Sequence, residues 1–234
     1  MKPEAPPTNY IGREQPRVED KRFLTGRGSF VDDIFVPNAA YAAFVRSTHP
    51  HANLKGIDFQ KAKAFPGVLS LLTAADWDLG AYVVVSPVES TDGVKRPQMT
   101  HPMLAGDKVH YVGQPIAVVI AETRWQALDA AEAVEVEYQP LPALVETRKA
   151  LDAGAPVLHA ELGSNLIFVK ESGDKAAVAA QFRAAAHVTE LDLANNRITA
   201  NPIEPRALLA QYDEGRDQYT LWVSHQAPHV LRLV

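Results

Sequence analysis

Val109-His110-Tyr111-Val112-Gly113-Gln114-Pro115 runs directly into Ile116-Ala117-Val118-Val119-Ile120-Ala121, and this stretch decides the fold. An unbroken apolar run of this length is the pattern of a strand covered on both faces. Thr123-Arg124-Trp125-Gln126 follows with the spacing of a capping box, the threonine hydroxyl serving an orphan N–H and the glutamine reaching back. The alanine-rich helix that it opens is expected to run to about Ala133, with Trp125 and Leu128 on one side. Val134-Glu135-Val136-Glu137-Tyr138 then alternates with period two, as a half-buried strand does, and ends at Pro140 and Pro142. Strand, helix and returning strand predict a compact α/β unit.

Upstream, the sequence reads as short strands over Ala42–Arg46, Leu54–Asp58 and Val68–Leu72, with a helical turn or two from Gln60 to Phe65 closed by Pro66-Gly67. Residues 1–16 are proline-rich and polar and are expected to be an extended lead-in, with order beginning near Arg17. Gly80 to Met103 shows no sustained period and is expected to be a long surface loop. Downstream, Asp174 is a candidate N-cap for a helix to about Ala186, on which Val178 and Phe182 share a face. Val188–Leu193, Ala207–Tyr212 and Tyr219–Ser224 read as strands, the last two joined by a turn at Gly215. Pro228 sits where a helix begins, and the apolar text through Val234 reads as a helix barely started. The expectation is a piece of a longer protein.

The 234 residues are 47% hydrophobic and 22% charged, enough apolar content for a real core. A net charge of −5 offers no basic face for a phosphate backbone, so nucleic acid is not an expected partner. The chain has no cysteine, which excludes disulfides and any thiolate-held iron–sulfur cluster or zinc within it. No stretch approaches the roughly 18 apolar residues of a membrane span, and no apolar signal segment opens the chain, so a soluble, cytoplasmic location is expected.

A dozen short motifs occur in a fixed order. Arg17-Val18-Glu19-Asp20, Leu24-Thr25-Gly26-Arg27-Gly28-Ser29-Phe30-Val31-Asp32-Asp33, Phe44-Val45-Arg46-Ser47 and His51-Ala52-Asn53 with Ile57-Asp58 come first. Pro66-Gly67-Val68, Thr73-Ala74-Ala75-Asp76, Val112-Gly113-Gln114-Pro115 and Leu141-Pro142-Ala143-Leu144-Val145 follow. Asn196-Arg197, Pro202-Ile203-Glu204-Pro205-Arg206 and Leu221-Trp222-Val223-Ser224-His225-Gln226-Ala227-Pro228-His229 close the series. In this order they resemble the large, molybdenum-binding subunits of the xanthine dehydrogenase, aldehyde oxidase and carbon monoxide dehydrogenase family.

The resemblance covers roughly Arg17 to Val234 and implies an α+β chain: an α/β hammerhead domain over 17–156, then the incomplete start of a molybdopterin-binding domain over 157–234. It implies a molybdopterin-type molybdenum cofactor in the complete subunit, which inserts water-derived oxygen into a small-molecule substrate. That substrate is an aldehyde or N-heterocycle, or carbon monoxide is oxidised instead. It further implies 2Fe-2S clusters and FAD on partner subunits, which suits a chain without cysteine, within an oligomer of multi-subunit units. The family's later motifs, a glycine-rich "G-G-x-F-G" loop, the substrate loop and a catalytic glutamate, do not occur in these residues. A fragment lacking them is expected to be inactive alone. A non-catalytic interaction or assembly module that keeps the hammerhead fold is the alternative.

Gln226 is the candidate cofactor-binding residue. It resembles the glutamine of the family's "S-x-Q" motif, whose amide reaches an oxo ligand of molybdenum. A neutral amide N–H can orient such a group without adding charge or competing as a ligand. Its other reading is the N-cap of the helix at Pro228. Glu204, between prolines, reads either as a general base or as the partner of Arg206 in an ion pair. His49 with His51, and His225 with His229, invite a metal reading, which Pro228 disturbs for the second pair. Gly26-Arg27-Gly28 lacks the third glycine of a dinucleotide fingerprint and reads as a tight turn, and Asp32 and Asp33 read as structural acids at a turn. Arg46 and Gln114 flank predicted strands on the side where relatives pack their iron–sulfur subunit. No residue in the chain is assigned as catalytic or as a metal ligand.

Overall fold

The computed structural model describes residues 11–12, 14–76, 80–83, 90–96, 99–196 and 198–232. Most of the lead-in expected over 1–16, parts of the loop expected over 80–103, and Arg197, Leu233 and Val234 lie outside them. In chain order the elements are α1 (Asp20–Leu24), β1 (Tyr41–Arg46), β2 (Ala52–Asp58), α2 (Gln60–Lys63), β3 (Val68–Thr73), β4 (Ala81–Val83), β5 (Thr100–Pro102) and β6 (Lys108–Val109). There follow β7 (Pro115–Ala121), α3 (Arg124–Glu132), β8 (Glu135–Pro140), α4 (Lys175–Ala184), β9 (Leu208–Asp213), β10 (Gln218–Val223) and α5 (Pro228–Leu231). Packing divides the chain into one unit of Asn38–Glu190 and another that joins the residues up to Pro37 with Leu191–Val234.

The first unit is built on β7. It is the central strand of an antiparallel sheet ordered β1-β7-β3. Its apolar run has no alternation because both faces are covered. Ala117 and Val119 pack with Val45, Ala62 and Ala130, on the side of α2 and α3, while Ile116 packs with Ala105 and with Ala52 and Val109 of a second antiparallel sheet, β6-β2-β8. Antiparallel sheets with segregated helices make the class α+β. The expected return of Val134–Tyr138 beside its partner is corrected here. β7 and β8 flank α3 in sequence but lie in different sheets, and β8 pairs with β2.

Two further expectations change. The segment from Gly80 to Met103 is not all loop, since β4 and β5 pair within it. The buried side of α3 carries Ala127 and Ala130, at 1% and 0% exposure, while Trp125 is 73% exposed. Methyl groups allow the helix to lie close on β1 and β7, where an indole would not fit. At the head of α3, Thr123 Oγ accepts from Gln126 N at 3.3 Å, but the glutamine side chain meets the threonine hydroxyl rather than the backbone N–H that a capping box would use.

Gly67 closes the turn before β3 with φ +79°, and a Cβ there would run into the Gln126 amide. That amide is the tip of a flexible side chain and can swing away, so the backbone term dominates. Gly67→Ala is expected to cost about 1–2 kcal/mol, the penalty of a left-handed non-glycine residue. Denaturant midpoints should show the same loss when Gln126→Ala is added; rescue by that second change would mean that the side-chain clash, not the backbone, carries the cost.

In the other unit, α1 is stopped by Gly26 in the left-handed region at φ +70°, with Thr25 Oγ1 donating to Lys21 O at 2.7 Å. The tight turn read at Gly26-Arg27-Gly28 is the end of this helix. β9 and β10 form a hairpin in register from Leu208↔Val223 to Asp213↔Gln218. Val188–Leu193, expected as a strand, has no ladder partner and forms none. In the first unit α4 forms as read, Asp174 Oδ1 accepting from Ala177 N at 2.9 Å, yet Val178 and Phe182 on its face remain exposed. Among the described residues no helix is long and apolar enough to cross a membrane.

Candidate cofactor-binding site

β10 delivers the chain to the candidate glutamine. The hairpin ends with Ser224 N donating to Ala207 O at 3.1 Å, and the backbone then bends through His225 and Gln226 into α5. His225 Nδ1 accepts from Ala227 N at 3.0 Å, which locks the turn from within. Pro228 takes the first helical position, where its missing N–H costs nothing. The N-cap is Ala227, with no side-chain cap. The Gln226 side chain is exposed and makes no hydrogen bond among the described residues, so the capping reading is not what the structure shows. α5 has four residues, too few for a helix dipole to add much. Gln226 offers one neutral, unspent amide donor, which suits an electron-rich oxygen ligand of a cofactor.

Glu204 has a different task from both readings above. Its Oε1 accepts from Val31 N at 3.0 Å across 173 residues of sequence, holding the 3-10 turn Val31–Asp33 to the segment before β9. Asp33 Oδ2 accepts from Phe30 N at 2.8 Å in the same turn, a structural role as read. Arg206 is not its ion-pair partner. A carboxylate engaged with a backbone amide positions chain rather than reacting.

The histidines raised as metal candidates are engaged locally. His225 spends Nδ1 on Ala227 N, His49 stacks on Tyr138 with ring centroids 4.4 Å apart, and His51 Nδ1 lies 2.7 Å from Pro142 O. Among the described residues no group of three or more His, Cys, Asp or Glu could hold a metal ion.

Within the chain, Arg46 and Gln114 clasp two motifs to each other. Ser47 N donates to Gln114 O at 2.9 Å, Gly113 N to Ser47 O at 2.8 Å, and Arg46 Nη1 to Gly113 O at 3.0 Å. Gln114 is only 2% exposed, and its Oε1 accepts from His110 N at 2.7 Å. The two motifs are therefore halves of one buried turn, with the register shift between Val45 and Arg46 making room for it. Arg17 and Asp20 form a similar local clasp, 3.0 Å from Nε to Oδ1, at the start of α1.

Sequence reading missed the imidazole rings of the first unit. His51 and His110 stack at 5.8 Å, and His110 and His159 at 4.2 Å with planes 10° apart. They come from positions far apart in sequence, and no spacing rule signals them.

Comparison with known proteins places these elements. Residues 25–142 match the model of the aldehyde oxidase and xanthine dehydrogenase a/b hammerhead domain, and residues 158–234 match that of the molybdopterin cofactor-binding domain. The chain is 38% identical to the carbon monoxide dehydrogenase large chain of Afipia carboxidovorans, over 96% of this chain and 28% of that one. It is equally 38% identical to the nicotine 6-hydroxylase large subunit of Paenarthrobacter nicotinovorans, over 96% of this chain and 27% of the relative. Among solved structures, a Cu,Mo-CO dehydrogenase in its carbon monoxide-reduced state superposes with a TM-score of 0.77 at 36% identity, covering 95% of this chain and 29% of that one. Quinoline 2-oxidoreductase from Pseudomonas putida 86 gives the same TM-score, 0.77, at 30% identity over 95% of this chain and 28% of that one. The chain thus spans 27–28% of the length of these curated relatives.

Proposed function

The chain belongs to the aldehyde oxidase and xanthine dehydrogenase family, and from that premise we propose that it is the N-terminal portion of a molybdenum-binding large subunit in a multi-subunit oxidoreductase. The observation that carries the reading is the order of two family matches on one chain, 25–142 and then 158–234, within a backbone likeness covering 95% of it. In this reading residues 1–16 lead in, 17–156 are the hammerhead domain and 157–234 open the molybdopterin-binding domain.

When bound, the molybdenum cofactor supplies the two-electron chemistry that transfers a water-derived oxygen to an aldehyde or N-heterocycle, or oxidises carbon monoxide. This chain's own contribution is orientation. Gln226 would help to hold the cofactor by presenting its amide N–H to it, a directed contact without charge. Glu204 fixes the Val31–Asp33 turn against the segment leading into β9, and so steadies the hairpin from which Gln226 projects. In this reading 2Fe-2S clusters and FAD would sit on partner subunits and the assembly would be cytoplasmic; these 234 residues, which have no cysteine, supply no thiolate to such a cluster.

One glutamine cannot replace the many contacts that enclose a cofactor. The isolated 234-residue chain is therefore expected to carry no molybdenum and to reduce no dye with any substrate, whereas the chain as part of its whole subunit and assembled with its partners carries stoichiometric molybdenum and turns over. Metal analysis and dye-reduction assays on both preparations test this. A whole, assembled subunit that stays free of molybdenum would favour the alternative, an interaction module that kept the fold without the chemistry.

A further inference from the structure

Between β8 and α4 the chain crosses the first unit as a strap, residues 141–166, with two short 3-10 turns, Thr147–Leu151 and Ala160–Leu162. Asn165 makes the strap one piece: its Nδ2 donates to Ala150 O at 3.0 Å and Pro156 O at 2.9 Å, and its Oδ1 accepts from Leu158 N at 3.1 Å. Histidines fasten both of its ends. At the first, Leu141 N donates to His51 O at 2.9 Å, and His51 Nδ1 lies 2.7 Å from Pro142 O. At the second, the His159 ring lies flat on His110.

We propose that the stack of His51, His110 and His159 forms a proton-operated latch, which holds the strap down while His110 is neutral and releases it when His110 takes up a proton. The proposal goes beyond the oxidoreductase reading and does not depend on it.

The chemistry of His51 argues for it first. Pro142 O can only accept, so Nδ1 carries the ring proton and Nε2 is left as an acceptor. That Nε2 is buried without a hydrogen-bond partner, on a residue only 6% exposed. The ring packs against that of His110 as a stack, with centroids 5.8 Å apart. Electrostatics around His110 point the same way. Burial, then His159, His51 and Lys108, push its pKa down from 6.5 to about 4, and Glu161 on the strap is the one group that opposes them. Asp107 just before β6, Lys108 on β6, His101 on β5, and His159 and Glu161 on the strap line the same cleft, together with the uncharged Gln114. The His101 ring is also shifted downward, by burial and then by His159.

The sign follows from linkage. A histidine whose closed-state pKa is lowered binds fewer protons closed than open, so the latch holds fully above about 6.5 and weakens as pH falls toward about 4. For His110 alone the limit is about a 30-fold rise in opening from pH 7.5 to pH 5, and for a half-buried ring screened by solvent about tenfold is expected.

Hydrogen exchange on the full protein as isolated, corrected for intrinsic amide chemistry, reads this directly. Amides of 157–166 should open about tenfold more at pH 5 than at pH 7.5, while those of β7 do not change. His110→Phe, which can stack but not titrate, should keep the strap closed at both values. Equal opening of the wild-type strap at the two pH values overturns the latch, as does an undiminished pH response in His110→Phe. A ring titration of His110 by NMR covers the case in which that variant does not fold, and an ordinary value near 6.5 there would also overturn it.

Discussion

Ile116→Ala is expected to be the most destabilising single truncation in the first unit, at about 2–5 kcal/mol. Ile116 is fully buried, wedged between Ala52, Ala105 and Val109. Two of those neighbours are alanines, whose single methyl groups cannot reach into the void, and all sit on backbone held by strand pairing or, for Ala105, by its bond to Pro115 O at 2.8 Å. The cavity therefore stays open and its cost adds to the lost transfer energy. Against a total stability of about 5–15 kcal/mol, this is a large fraction. Trp125→Ala is the contrast: with the indole 73% exposed, the isolated chain should change by no more than about 0.5 kcal/mol. Denaturant unfolding of the two variants side by side decides it. A loss from Trp125→Ala as large as that from Ile116→Ala would mean that the indole belongs to the core.

In the complete enzyme, Gln226→Ala is expected to slow turnover by about ten- to a hundredfold with folding intact, since a hydrogen bond to a charged group is worth about 1.5–3 kcal/mol if it strengthens in the transition state. Gln226→Glu should be slower still. An ionised carboxylate cannot donate, and it sets negative charge beside an electron-rich ligand. A helix-capping role would give the reverse order, because glutamate near a helix start preserves a cap better than alanine does. Ala227 holds the cap position in the structure, without a side-chain bond. Steady-state rates and molybdenum content of both variants separate the two, and near-normal activity with glutamate would remove Gln226 from the site.

Much of the first unit was legible because its signals are local. The apolar run of β7, the period-two alternation of β8, and Thr123 and Asp174 as caps each follow from backbone sterics or hydrogen bonding within a few residues, as does Pro228 at a first helical position in the other unit. The family resemblance was legible for a related reason. Its motifs are the tight turns and clasps themselves, such as Gly26 ending α1 and Gly113-Gln114 bonded to Ser47. The candidate site was legible only through that resemblance, since a lone exposed glutamine before a short helix carries no signal of its own.

Sequence by itself determined the main strands and helices, though not β4, β5 or the unpaired Val188–Leu193, and the family that they compose. Tertiary structure alone decided which surfaces meet. α3 buries its alanines and not Trp125, because the sheet approaches closer than an indole allows, and a row of alanines has too little hydrophobic contrast to announce this. β8 left the sheet of β7 to pair with β2, and Val188–Leu193 stayed unpaired, because a ladder needs a neighbour that no strand specifies in its own residues. Glu204 reached Val31, and His159 reached His110, across separations that local rules cannot span. Periodicity records how each segment is half-buried; the identity of the other half is fixed only when the chain has closed its loops.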